Sequence, residues 1–140
     1  MTFVLDASVT LPWFLPDEDS PMARAVLQRL STDDAIVPQG WLAEVANGLL
    51  MGERRRRSTE AGTAISLARL ATAPIRVASP IPDPTAHWVR LLGLARQHNL
   101  TAYDAAYLDL AIQERVPLAT LDDDLRNAAR QAHVPLVGAT

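Results

Sequence analysis

Five short apolar runs, TFVLD at 2–6, AIV at 35–37, IRVA at 75–78, PLAT at 117–120 and PLV at 135–137, alternate with longer segments whose apolar residues recur every three or four positions. This alternation leaves little choice of fold, because strands separated by helix-length segments return to one sheet through crossovers and pair in parallel. Helices are expected over about 21–31, 40–53, 58–72, 84–98, 102–115 and 123–132. Ser20 before Pro21 and Asp83 before Pro84 read as N-caps followed by proline at the first helical position. The expected architecture is α/β: a single domain over 1–140 with a central parallel sheet of about four or five strands flanked by helices.

Composition narrows the chemistry. With 140 residues, 49% of them hydrophobic, the chain can bury a substantial core. It has no cysteine, which removes disulfides, thiolate zinc sites and cysteine nucleophiles, and fits a reducing compartment. The opening MTFVLDASVTLPWFLP is apolar but lacks a basic flank, carries Asp6 and meets Pro12 and Pro16, so neither a signal peptide nor a membrane span is expected. A cytoplasmic protein without membrane partners is the expectation. All 13 basic residues are arginine, and lysine is absent.

Carboxylates stand where such folds place their ligands, beyond the carboxyl ends of the strands. Asp6 follows Phe3, Val4 and Leu5, and Asp122 follows Leu118, Ala119, Thr120 and Leu121. Glu44 lies in mid-helix on the face of Asn47 and Gly48, where no capping role accounts for it. Asp104, in LTAYDAAYLDLA, shares the side of Tyr107, Leu108 and Ala111, whereas Asp109, about 140° away, shares the Gln113 face and is expected in solvent. Structural readings stand beside these: Thr101 and Asp104 match a capping box, one of Asp122, Asp123 and Asp124 is an expected N-cap, and Asp6 with Ser8 could cap the turn after the first strand.

Four clustered carboxylates cannot all stay ionised without a counter-charge, and a divalent cation supplies one. Oxygen donors of this kind suit Mg²⁺ or Mn²⁺. Zinc does not fit, since His87, His98 and His133 share no ligand spacing and read as surface or boundary residues. Ser8 has no histidine partner at a telling spacing and is not read as a nucleophile.

The segments VLDASV, EVAN at 44–47, LTAYDAAYLDLA at 100–111 and PLATLDDDLRNAA at 117–129 together resemble the PIN domain, specifically its VapC-type toxin branch. The likeness runs through the chain in order. It implies a PIN-like α/β/α domain over 1–140, a Mg²⁺- or Mn²⁺-dependent endoribonuclease leaving 5′-phosphate and 3′-hydroxyl ends, and a toxin inhibited by a VapB-type antitoxin, usually as a homodimer or within a higher toxin–antitoxin assembly. By position, Asp6, Glu44, Asp104 and Asp122 match the family's four acids, with Asp6 and Asp104 as direct metal ligands. Ser8, Asn47 and Thr120 match accessory polar positions. The run of three aspartates departs from the pattern: Asp122 fits Thr-x-Asp, Asp124 could share its role, and Asp123 carries no assignment.

Two features bear on partners. Arg54, Arg55, Arg56 and Arg57 offer contacts to RNA or to an antitoxin, against the plainer reading of a solvated helix end. Trp13, Phe14 and Leu15, with Trp41 and Trp88 in later helices, offer an apolar contact surface, against the plainer reading of core. The competing functions are a PIN-like binding module without nuclease activity and a phosphoaspartate or receiver domain; the latter requires a lysine for the phosphoryl group, which this chain lacks. No glycine-rich phosphate loop is present.

Overall fold

The computed structural model describes residues 1–138. Its first strand, β1 (Thr2–Leu5), is the centre of the molecule: Phe3, Val4 and Leu5 are all fully buried. Successive strand residues point to opposite faces, so three buried in a row require a layer on each side of the sheet. After β1 come α1 (Ala7–Thr10), two 3₁₀ turns at Leu11–Trp13 and Pro16–Glu18, α2 (Pro21–Arg29), β2 (Asp34–Val37), α3 (Gly40–Arg54) and α4 (Glu60–Thr72). The chain continues through β3 (Ile75–Val77), α5 (Pro84–His98), α6 (Ala102–Glu114), β4 (Leu118–Ala119) and α7 (Asp123–Gln131).

The four strands are parallel in the order β3-β2-β1-β4. The chain winds from β1 to one side through β2 and β3, then returns to place β4 on the other side, which makes the gap between the ends of β1 and β4 a switch point of the sheet. The caps at Ser20 and Asp83 form as expected, accepting from Ala23 N and Ala86 N.

The expected fifth strand at 135–137 is reduced to one bridge between Leu118 and Leu136. Leu118 N donates to Pro135 O and Val137 N to Leu118 O, each at 2.9 Å. Pro135 has no N–H to extend the ladder, and Gly138 leaves the extended conformation at φ +73°.

Of the two readings for the apolar residues just after β1, core packing holds for Trp13, Phe14 and Leu15. Leu15 is buried, Trp13 and Phe14 pack against the core, and Trp13 Nε1 donates to Ala23 O at 2.7 Å. Trp41 is buried too, donating to Thr10 Oγ1 at 3.2 Å, while Trp88 remains exposed. Short turns following a buried strand pass directly over the core, and that is where bulky side chains lose the most apolar surface.

Candidate active site

At the end of β1 the backbone of Asp6 stays extended and occupies the N-cap of α1, yet its side chain makes no capping bond. The carboxylate is thereby free for other partners. Ser8 and Thr120 both place a hydroxyl 2.6 Å from Asp6 Oδ2, and the two hydroxyls lie 3.3 Å apart. Each hydroxyl also accepts a backbone N–H from the turn after β4: Leu121 N to Ser8 Oγ at 3.0 Å and Asp122 N to Thr120 Oγ1 at 3.1 Å. With their protons directed to Asp6, Ser8 and Thr120 act as clamps between the ends of β1 and β4 rather than as nucleophiles.

Asp6 is 4% exposed. Burial raises its carboxyl above the ordinary carboxylate value, the Ser8 and Thr120 hydroxyls and the Ser8 N–H pull it back, and the charge of Asp122 pushes it up again. Glu44, partly buried on α3, accepts from the Tyr107 hydroxyl at 3.0 Å through Oε2. Its carboxyl is raised by burial and by the charges of Asp6 and Asp104, with the Tyr107 bond acting the other way. Asp104, in the first turn of α6, is raised by burial and by the charges of Asp122 and Asp6, lowered by the Thr101 hydroxyl and raised, least of all, by Asp124. The acids from β1, α3, α6 and the β4–α7 turn thus lie within one another's fields.

Two capping expectations resolve differently. Thr101 Oγ1 accepts from Asp104 N at 3.1 Å, but the Asp104 carboxylate makes no return bond to Thr101 N, so only half of the capping box forms. Among the three aspartates, the N-cap of α7 is Asp122 itself, accepting from Leu125 N at 2.8 Å through Oδ2. The cap uses one carboxylate oxygen, and the charge of Asp122 still acts on Asp6 and Asp104. Asp123 and Asp124 are exposed, and Asp124 acts on the cluster through its charge.

Asp109 departs from its expected place in solvent. It is 4% exposed, with Arg90 Nε 3.2 Å from Oδ1 and His87 Nδ1 3.6 Å from Oδ2. The reason is tertiary: α5 packs along α6 and covers the face of Asp109, while Gln113, one turn further, stays exposed. Asn47 is exposed and makes no side-chain hydrogen bond among the described residues. In the arginine run, Arg54, Arg55 and Arg56 are exposed at the α3–α4 connection, whereas Arg57 turns back to pair with Asp17 and Glu18.

Tyr107 is the residue that sequence reasoning placed only in the core. Its ring is fully buried, and burial together with the charges of Asp6 and Glu44 drives its hydroxyl pKa far upward, so it remains a donor to Glu44. A tyrosine three residues after Asp104, where phenylalanine would pack equally well, was the available signal.

Among the described residues, no group of three or more Asp, Glu or His side chains is arranged to hold a metal ion by itself. The donor set still suits a hard cation. Mg²⁺ is typically held by one or two carboxylates and completed by water and phosphate oxygens, so it needs no three-ligand protein cage. The chain offers only oxygen donors here, three with raised pKa values that a nearby positive charge would lower.

The family model described as PIN domain matches residues 3–131. The crystal structure of PAE2754 from Pyrobaculum aerophilum superposes with a TM-score of 0.64 at 22% identity, covering 91% of this chain and 87% of that one. That of VapBC2 from Rickettsia felis, bound to a DNA fragment from their promoter, gives 0.68 at 15% identity, covering 97% of each chain. No curated protein matches. At these identities the two structures establish a shared fold.

Proposed function

The chain belongs to the PIN domain family, and from that premise we propose that it is a VapC-type toxin: an endoribonuclease that hydrolyses RNA phosphodiester bonds with Mg²⁺ or Mn²⁺. The observation that carries this reading is the Asp6 carboxylate, buried at the switch point of the sheet, clamped on one oxygen by Ser8 and Thr120, and sharing its field with Glu44, Asp104 and Asp122. An acid raised by burial, and further by the charge of Asp122, is costly to keep ionised unless a cation meets it.

Asp6 and Asp104 are the residues that would hold the ion directly, with Glu44 and Asp122 beside them. When bound, the ion neutralises the acids, lowers the pKa of water and stabilises charge developing on the scissile phosphate. The protein's part is to fix the acids. Ser8 and Thr120 orient Asp6, Tyr107 orients Glu44, the Thr101 cap sets the first turn that carries Asp104, and the α7 cap directs Asp122. Glu44 and Asp122 are the available groups for orienting a water molecule toward phosphorus.

The resemblance to VapBC2 supports a VapB-type antitoxin as partner; a homodimeric toxin and a cytoplasmic site of action complete the proposal as what a VapC-type toxin implies. No helix among the described residues is long and apolar enough to cross a membrane. The test is a panel of RNAs incubated with the protein and Mg²⁺ or Mn²⁺, with and without EDTA, with the product ends identified. Cleavage that EDTA abolishes, leaving 5′-phosphates, is the expected result. Metal binding without cleavage of any RNA would favour a PIN-like binding module instead.

A further inference from the structure

A cavity of about 490 Å³ opens beyond the ends of β2 and β3, between their loops and helices α5 and α6. None of the four acids lines it, yet it adjoins one of them: Gly40 is on its wall, and a Cβ placed on Gly40 would stand 4.0 Å from Glu44 Oε1. The volume falls within the range of small-molecule sites, roughly 300–1,000 Å³.

Its lining distinguishes among possible occupants. The one arginine, Arg90, is engaged with Asp109 at 3.2 Å and with His87 Nδ1 at 3.3 Å. With its cation already paired to a buried carboxylate, the cavity is poorly suited to a phosphate. The loop of Pro80, Ile81 and Pro82 supplies a stiff apolar wall. The lining also carries polar groups with no side-chain hydrogen bond or ion pair among the described residues: the amides of Gln39 and Gln113 and the carboxylate of Glu114. A lining that combines rigid apolar residues with amides and an acceptor-only carboxylate suits a planar heterocycle that donates hydrogen bonds.

We propose that this cavity receives the nucleobase next to the scissile phosphate, and that it selects bases bearing an exocyclic amino group, namely adenine, guanine or cytosine, over uracil. The inference rests on the reading of the acids as a ribonuclease centre. The discriminating group is Glu114, which as an acceptor-only carboxylate accepts from an amino group but meets repulsion from the two carbonyl oxygens that flank the single N–H of uracil, and the proline loop packs on the ring.

The test measures binding and cleavage separately. The four nucleoside 5′-monophosphates are titrated by calorimetry against the full chain in EDTA, and against the double variant Gln113→Leu, Glu114→Ala. Both substituted residues are exposed on α6, and circular dichroism verifies that the helix is kept. AMP, GMP and CMP should bind about five- to a hundredfold more tightly than UMP, and the variant should bring the four affinities together. In parallel, cleavage of a randomised RNA with Mg²⁺ should show a bias against uracil at one flanking position that weakens in the variant. UMP binding as tightly as the others, or an unchanged preference in the variant, overturns the proposal. Discrimination among mononucleotides in a protein that cuts no RNA would support the base pocket and count against the ribonuclease reading.

Discussion

The Tyr107 hydroxyl on α6 donates to Glu44 Oε2 on α3 at 3.0 Å, joining two helices whose residues are 63 positions apart in the chain. Through this bond a core aromatic ring sets the direction of a carboxylate at the centre of the acidic cluster. Tyr107→Phe keeps the packing and removes the donor. It is expected to lower stability by about 1.5–3 kcal/mol, as for a hydrogen bond to a charged group. It should also reduce cleavage more than it reduces RNA affinity. Denaturant unfolding and single-turnover kinetics check the two effects; wild-type cleavage would show that Glu44 needs no such support.

The acids make a prediction about pH. Folding raises the carboxyl pKa of Asp6, Glu44 and Asp104 above their ordinary values. A group of this kind binds its proton more tightly in the native state, so its stabilising contribution is present in acid and is lost as pH rises through the folded value. Asp6→Asn removes one of these charges and retains a side-chain oxygen for Ser8 and Thr120. Without metal, the variant should be more stable than wild type at pH 7, by about 0.5–2 kcal/mol, with the difference shrinking toward pH 4. Mg²⁺ should raise the thermal midpoint of wild type more than that of the variant. A difference independent of pH and metal would contradict the raised carboxyl.

Asp109 and Arg90 form a pair with unequal exposure, 6% and 41% for their side chains. Asp109→Ala removes the buried partner, while Arg90 can return to water. The expected loss is about 1–3 kcal/mol, below the cost of stranding a fully buried charge. Thermal unfolding measures it, and an unchanged midpoint would mean that α5 is not anchored on α6 by this pair.

The arginine run divides. Arg57 is tied to Asp17 and Glu18, whereas Arg54, Arg55 and Arg56 project into solvent. Replacing the three exposed arginines with serine should weaken binding of an unstructured RNA and flatten the salt dependence of log K by about 2, at roughly 0.7 per phosphate contact. Arg57→Ser should leave that slope unchanged. An unaltered slope in the triple variant assigns the exposed arginines to protein contacts.

Much of the frame was legible because it is written locally. Proline after Ser20 and Asp83 marked two helix starts, and Asp6 after three apolar residues marked a strand end. What escaped depends on distant neighbours. Asp109 lies on the helical face predicted for solvent, and only the packing of α5 buries it. Tyr107 has core periodicity, and only Glu44, from another helix, reveals its polar role. The four-residue α1 and the two 3₁₀ turns are too short to show a period, so core packing of Trp13 and Phe14 was read from their bulk and not from their spacing. Pro135 and Gly138 were visible in sequence, but their power to stop a fifth strand depends on the two-residue length of β4.

The most direct measurement is the initial rate of RNA cleavage with Mg²⁺ or Mn²⁺ by wild type, Asp6→Asn and Asp104→Asn, each verified as folded by circular dichroism. Both substitutions should reduce the rate by about 10²–10³-fold or more, since each removes charge from the centre where the transition state is stabilised. Cleavage by either variant at the wild-type rate would contradict the assignment of these acids to a nuclease centre.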